Sequence, residues 1–266
     1  MAVGFTEGEL LLPFEQARLR RGYREFYKAK RKHFFTTIGY FNELWDAFQM
    51  LDEVWDREIQ DVSRPAAPIQ ILPAQMLILS HGRLRIAGEL AFSGCVGDAW
   101  SIIRASIELA VHARRILSKP ELAKVWLNRE DGDAEKKAFK KEFWYEKKER
   151  AFAGMSRLLE YWQICSEWGS HSNVAVVAMR TRSQEAAEGS RIEVSYMEGD
   201  ASRMAHSLHL LLDAGWETEN VFFQAFEDRL KLDVSLLEMR SRFAKRHDDL
   251  REAILKMYGQ NSTGPK

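Results

Sequence analysis

The sequence predicts a mainly α protein: a helical bundle with an inserted antiparallel β-hairpin. Three observations carry this. Apolar residues recur at helical steps through most of the chain. Six prolines in 266 residues leave long segments uninterrupted. One stretch, 173–197, departs from the helical pattern and turns to β-branched and alternating residues.

Phe14–His33 and Ile38–Ser63 read as the first two helices, closed by Ser63-Arg-Pro-Ala-Ala-Pro. Ala74–Phe92 follows, and Gly94 separates it from Cys95–Leu117. That segment is apolar over most of its circumference, with a thin stripe of Gly97, Ser101, Arg104, Glu108 and Arg115. Such a helix belongs at the centre of a bundle and must pair the charges it carries. Pro120–Leu127 reads as a short helix, Asp131-Gly-Asp as a loop, and Ala134–Glu149 as a charged, solvated helix. Met155–Trp168 is amphipathic and closed by Gly169. The hairpin pairs Asn173–Met179 with Arg191–Met197 across a long tip, Arg180–Ser190. Ala201–Phe226 and Val234–Tyr258 are the last helices. The resulting division is an N-terminal helical hairpin over 1–63, a bundle with its β-hairpin over 64–260, and a tail over 261–266.

Composition is that of a folded protein, 45% hydrophobic and 29% charged. Thirty-nine basic residues balance 39 acidic ones, so net charge gives no case for nucleic acid or an anionic membrane. No segment has the length and apolarity of a membrane span, and the N-terminus lacks a basic-then-apolar signal pattern. Two cysteines, Cys95 and Cys165, read as buried thiols in a reducing compartment, which predicts a cytoplasmic protein. Aromatic-rich Asn220–Met239 suggests self-association into a homo-oligomer.

Charge is unevenly distributed. Arg18–Lys32 holds eight basic residues and one acid, with Tyr23, Phe26 and Tyr27 among them. Alone, this resembles a nucleic-acid-binding helix. Glu43–Asp61 then holds seven acids and one base, Arg57. Two helices joined by a short loop pack antiparallel, so charge matching between them is the favoured reading. A nucleic-acid or partner surface is the alternative.

Three constellations could carry chemistry. Arg104-x3-Glu108-x3-His112 is either an ion pair bridging helices or an acid–base or ligand site. Glu167-Trp-Gly-Ser-His171-Ser-Asn173 sits at a helix end, where functional side chains gather. The two Glu-x3-His pairs, with Glu89 and Glu160, also permit a dinuclear metal centre in the manner of helical di-iron proteins, although those use Glu-x-x-His. His206-Ser-Leu-His209 places two histidines on one helical face, read as partly buried histidines rather than metal ligands. No zinc pattern, Gly-rich phosphate loop or G-x-S-x-G motif occurs, and no metal site is assigned.

Arg104-x3-Glu108 on one helix, followed by Ser166 and His171 at a later helix end, resembles helical bacterial proteins related to the HEPN superfamily. The resemblance covers roughly 94–173 and implies a helical fold. HEPN ribonucleases carry Arg-x4–6-His, and this chain offers Arg203–His209, Arg240–His247 and Arg242–His247. Of these only Arg240, followed by Ser241, keeps the family's polar neighbour. The leading expectation is therefore a binding or interaction protein with a polar pocket for an anionic ligand. Arg104, His112, Ser166 and Asn173 would contact the ligand, and Glu108 with His171 would do acid–base work in an enzyme acting on RNA or a nucleotide. A metal-dependent bundle enzyme is the remaining alternative. The cofactor is undetermined by the sequence.

Overall fold

The structure is a computed structural model that describes residues 20–62, 68–143, 151–169, 181–186, 189–195 and 197–258. The described residues are mainly helical. The helices are α1 (Arg21–Tyr40), α2 (Asn42–Val62), α3 (Pro68–Phe92), α4 (Val96–Ser118), α5 (Leu122–Leu127), α6 (Asp133–Phe143), α7 (Ser156–Gly169), α8 (Ala201–Ala225) and α9 (Val234–Tyr258).

The centre of the bundle is α4, as its all-round apolarity requires. It packs against α3, α7 and α8, while α2 packs against α3, α8 and α9. Ala99, Ile103, Ile107, Ala110 and Ala113 of α4 are fully buried. Small residues let α3 and α4 approach closely. Ser80 and Ser106 meet hydroxyl to hydroxyl at the crossing, and Ser106 Oγ donates to the Ser80 carbonyl at 3.1 Å. Each buried hydroxyl thus finds an acceptor, which removes the cost of burying it.

The turn between α3 and α4 is set by Gly94, whose φ of +80° is unfavourable for any residue with a Cβ. Its N–H bonds to the Ala91 carbonyl, and the Cys95 N–H bonds to that of Leu90. This Schellman pattern satisfies carbonyls that a helix end leaves open. Asp200 caps α8 by accepting from the Arg203 N–H at 2.8 Å.

Two expectations need correction. The first helix does not break between His33 and Ile38. It runs through Thr37, which is buried, and ends at Phe41, whose N–H bonds to the Thr37 carbonyl. The hairpin as predicted is not supported either. Asn173–Met179, its first strand, lies outside the described residues. β1 (Thr181–Ala186), which falls in the expected tip, pairs antiparallel with β2 (Gly189–Val194), which overlaps the expected second strand, in register Thr181 with Val194 and Ala186 with Gly189. A register is fixed by which backbone groups find partners, and a β-branched run does not by itself determine it.

Of the acids of α2, Asp52 pairs with His81 and Arg85, Glu58 with Arg240, and Glu43 with Arg246. Lys30 of α1 pairs with Glu89 of α3 at 2.6 Å. Cys95 and Cys165 are buried and form no disulfide with each other, and burial pushes the Cys165 thiol well up. Among the described residues no helix is long and apolar enough to cross a membrane.

Candidate metal centre

Helical geometry places residues four apart on one face. In α8 that step joins His209 to Asp213, and the packing of α9 brings His247 against both. All three are buried, at 7%, 5% and 4% exposure. His209 Nδ1 lies 3.5 Å from Asp213 Oδ2. The two imidazoles stack with centroids 5.0 Å apart, and Phe243 stacks against His247 from the other side.

The geometry leaves lone pairs unused. His247 Nε2 stands 2.5 Å from Asp213 Oδ1, an ion-pair contact. His209 Nε2, Asp213 Oδ1 and His247 Nε2 are all buried without a hydrogen-bond partner. One ligand atom from each residue lies within 4.8 Å of the others.

A supporting layer surrounds them. The Tyr161 hydroxyl bonds to Asp213, and burial pushes that phenol up to about 12, so it stays protonated as a donor. Arg157 lies 3.7 Å from Asp213 and pairs with Glu217 at 3.0 Å. Burial tends to raise the Asp213 carboxyl, but His247, His209 and Tyr161 outweigh it and hold the group below its usual range. Burial lowers His209, against the pull of Asp213. An ionised carboxylate beside a histidine held neutral is the protonation state that metal ligation needs.

The described residues among those predicted for the site lie elsewhere. Arg104 Nε contacts Glu108 Oε1 at 3.2 Å, and Trp162 Nε1–H donates to the same oxygen at 3.0 Å. The Arg104 guanidinium lies over the Trp162 ring, 4.8 Å from its centroid. The pair thus fastens α7 to α4. Ser166 Oγ donates to the Trp162 carbonyl one turn back. His112 points toward α5 and α6. Its Nδ1 accepts from Trp126 Nε1–H at 3.2 Å, and its ring meets Phe143 edge to face. Burial lowers His112 to about 3, so it is a neutral acceptor. His171 and Asn173 lie outside the described residues.

Arg203 is held by Glu198, Arg240 by Glu58, Glu219 and Asn220, and Arg242 is exposed. The histidines of those Arg-x4–6-His spacings, His209 and His247, nevertheless meet at one place. Sequence reasoning missed Asp213, Tyr161 and Arg157. The His209-x3-Asp213 step was the available signal, since it puts two ligand types on one face. His206, singled out with His209, bonds instead to the Ser202 carbonyl at 2.8 Å.

Comparison with protein families, with curated proteins and with solved structures gives no match.

Proposed function

We propose that the protein binds a divalent transition metal through His209, Asp213 and His247. Of the readings the sequence leaves open, this is the metal-dependent helical bundle. The observation that carries it is the convergence of two imidazoles and a carboxylate, all buried, with one ligand atom of each within 4.8 Å of the others. His209 Nε2 is buried there without a hydrogen bond, which costs on the order of 1–3 kcal/mol. Two imidazole nitrogens and one carboxylate oxygen suit zinc and its first-row neighbours better than magnesium or calcium. Ligand atoms about 2.0–2.1 Å from a tetrahedral ion stand about 3.3 Å apart. The 2.5 Å contact would open by less than an ångström and the widest separation would close by somewhat more. Tyr161 fits as the outer partner that orients the carboxylate ligand. Three protein ligands leave a coordination position for water or an anion, with Arg157 beside it.

The test is metal content and thermal stability of protein stripped with chelator and titrated with Zn2+ or Co2+. We expect one ion per chain, a raised Tm, and a Co2+ visible spectrum showing low coordination number. His209→Ala and His247→Ala each abolish all three. At metal a hundredfold above Kd the stabilisation is about 2.7 kcal/mol. A folded protein that takes up no stoichiometric metal and shows no Tm shift overturns the reading, and His247 is then simply an ion-pair partner of Asp213.

A further inference from the structure

Independently of the metal centre, α3 presents an interaction surface on its outer side. Met76, Leu77, Ser80, Leu84, Ala87 and Ala91 are buried and turn one side of α3 into the bundle. A helix placed this way ordinarily turns polar residues outward. Here Ile71, Ile78, Leu79 and Ile86 stand outward, at 49%, 47%, 57% and 52% exposure. With Gly82 among them they recur at steps of three, four and seven, so they form one stripe. At 1.5 Å per residue the stripe is about 22 Å long.

Gly82 is the second observation. A glycine inside a helix weakens it relative to alanine, so its presence needs a reason. Gly215 of α8 has one within the bundle, since a Cβ there would come within 2.8 Å of Leu84. A Cβ at Gly82 would meet nothing within 4 Å, so among the described residues no close approach asks for glycine. Small residues at the middle of an apolar helix face let a second helix come near.

We propose that two copies of this chain associate through α3, packed antiparallel about a two-fold axis at Gly82. The stripe is complementary to itself in that arrangement. Ile78 and Ile86 lie four residues to either side of Gly82, so each Ile78 packs beside the Ile86 of the other copy. Gln75 and Glu89 lie seven residues to either side and face one another in the same way. Leu79 meets the stem of Arg85. The four half-exposed side chains offer on the order of 300 Å² of aliphatic surface per copy, in the range where an exposed patch is often functional. One helix pair falls short of the about 800 Å² per partner of a standard interface, so the dimer should dissociate in the micromolar range. An anionic lipid surface fits less well, because Arg85, the cation at the edge of the stripe, is held by Asp52 and Asp56. Phe222 and Phe226 of Asn220–Met239, the segment expected to self-associate, are buried, so α3 is the better candidate.

The experiment is sedimentation velocity of the full chain from low to high micromolar concentration. Expected is a monomer–dimer equilibrium with no larger species, because a two-fold contact closes on itself. Ile78→Glu with Ile86→Glu, both at exposed positions, weakens the dimer at least tenfold without lowering the Tm of dilute protein. Gly82→Lys does the same. Its side chain enters open space in the monomer and raises helix propensity, but it sets two cations against each other on the axis. A short bis-maleimide fixes the orientation. Gln75→Cys mixed with Glu89→Cys is cross-linked, whereas Gln75→Cys alone, about 21 Å from its own copy, is not. The proposal is overturned if the chain stays monomeric throughout, if either α3 variant dimerises like wild type, or if Gln75→Cys cross-links to itself and the mixture does not. It is equally overturned if the chain binds phosphatidylserine vesicles through α3 and does not self-associate. Chelator-stripped protein dimerises equally well, so failure of the metal reading leaves this result intact.

Discussion

Arg240 carries the polar-neighboured Arg-x6-His spacing that the HEPN resemblance singles out, and the structure gives it structural work whose size can be derived. Its guanidinium donates to Glu58 at 2.8 Å, to Glu219, and to Asn220 at 2.7 Å. It also lies over Phe223 and Trp216, 3.7 and 4.7 Å from their centroids. Glu58 and Glu219 are at most 1% exposed. One cation thus faces two buried carboxyls, so only one of them needs to ionise. Burial pushes Glu58 up to about 8, against the pull of Arg240. Replacing Arg240 with Met keeps much of the apolar volume and removes the charge that pairs with Glu58. Breaking a buried pair this way costs about 3–5 kcal/mol. For a chain of this size that is a Tm loss of about 6–15 °C. The sign of the pH dependence follows from Glu58. A carboxyl whose folded pKa is raised adds stability below about pH 4.5, and that stability is lost as pH climbs through about 8. Without Arg240 the Glu58 carboxyl is harder to ionise, so Arg240→Met should lose more at pH 8 than at pH 5. Adding Glu58→Gln and Glu219→Gln should recover much of the loss at pH 8. Urea denaturation of wild type, Arg240→Met and the triple variant at both pH values measures this. A loss under about 1 kcal/mol, or equal losses at the two pH values with no recovery, refutes the reasoning.

Two further outcomes follow from polar groups on the central helix. His112, lowered by burial to about 3, adds stability in its neutral form above pH 6.5, and this is lost as pH falls toward 3. His112→Gln, which keeps an acceptor for Trp126 Nε1–H, should flatten the acid limb of a stability–pH curve, and an unchanged acid limb would contradict the assigned neutral state. Glu108→Gln keeps an acceptor for Trp162 but removes the partial counter-charge of Arg104. With both groups about a quarter exposed, the loss by denaturant titration should stay below about 1 kcal/mol, and a loss several times larger would mean the pair is more deeply engaged than its contacts show.

The helices with full apolar stripes were legible. α9 has the bounds that its periodicity predicts, and α4 falls within one residue of its expected span at either end. These segments are determined by burial of a continuous face, which a one-dimensional pattern records. The stretch from His33 to Ile38 was misread because Thr36, Thr37 and Gly39 are poor helix formers. Burial of Thr37 and the contact of Phe34 with Trp45 override that local preference. The same limit applies to charge. Sequence gives each helix its charged face but not its neighbour, and α2 pairs acids with Arg85 of α3 and with Arg240 and Arg246 of α9.

The proposed metal centre marks where one-dimensional reading stops. A motif is visible in sequence when its ligands share a helix, as His209 and Asp213 do. His247 enters only because α9 packs against α8, and no spacing rule predicts that contact. What distinguishes the cluster from other buried polar atoms is chemical. The Trp55 indole N–H and the Ser93 hydroxyl also lie buried without a hydrogen bond, yet one has no lone pair to give and the other is a poor neutral ligand. His209, Asp213 and His247 combine lone-pair donors, a negative charge held ionised, and an outer hydrogen bond from Tyr161. Burying a carboxylate between two imidazoles costs desolvation that an ion pair alone repays poorly. A cation placed among the three atoms would satisfy all of them together, which is why metal content is the decisive measurement for this protein.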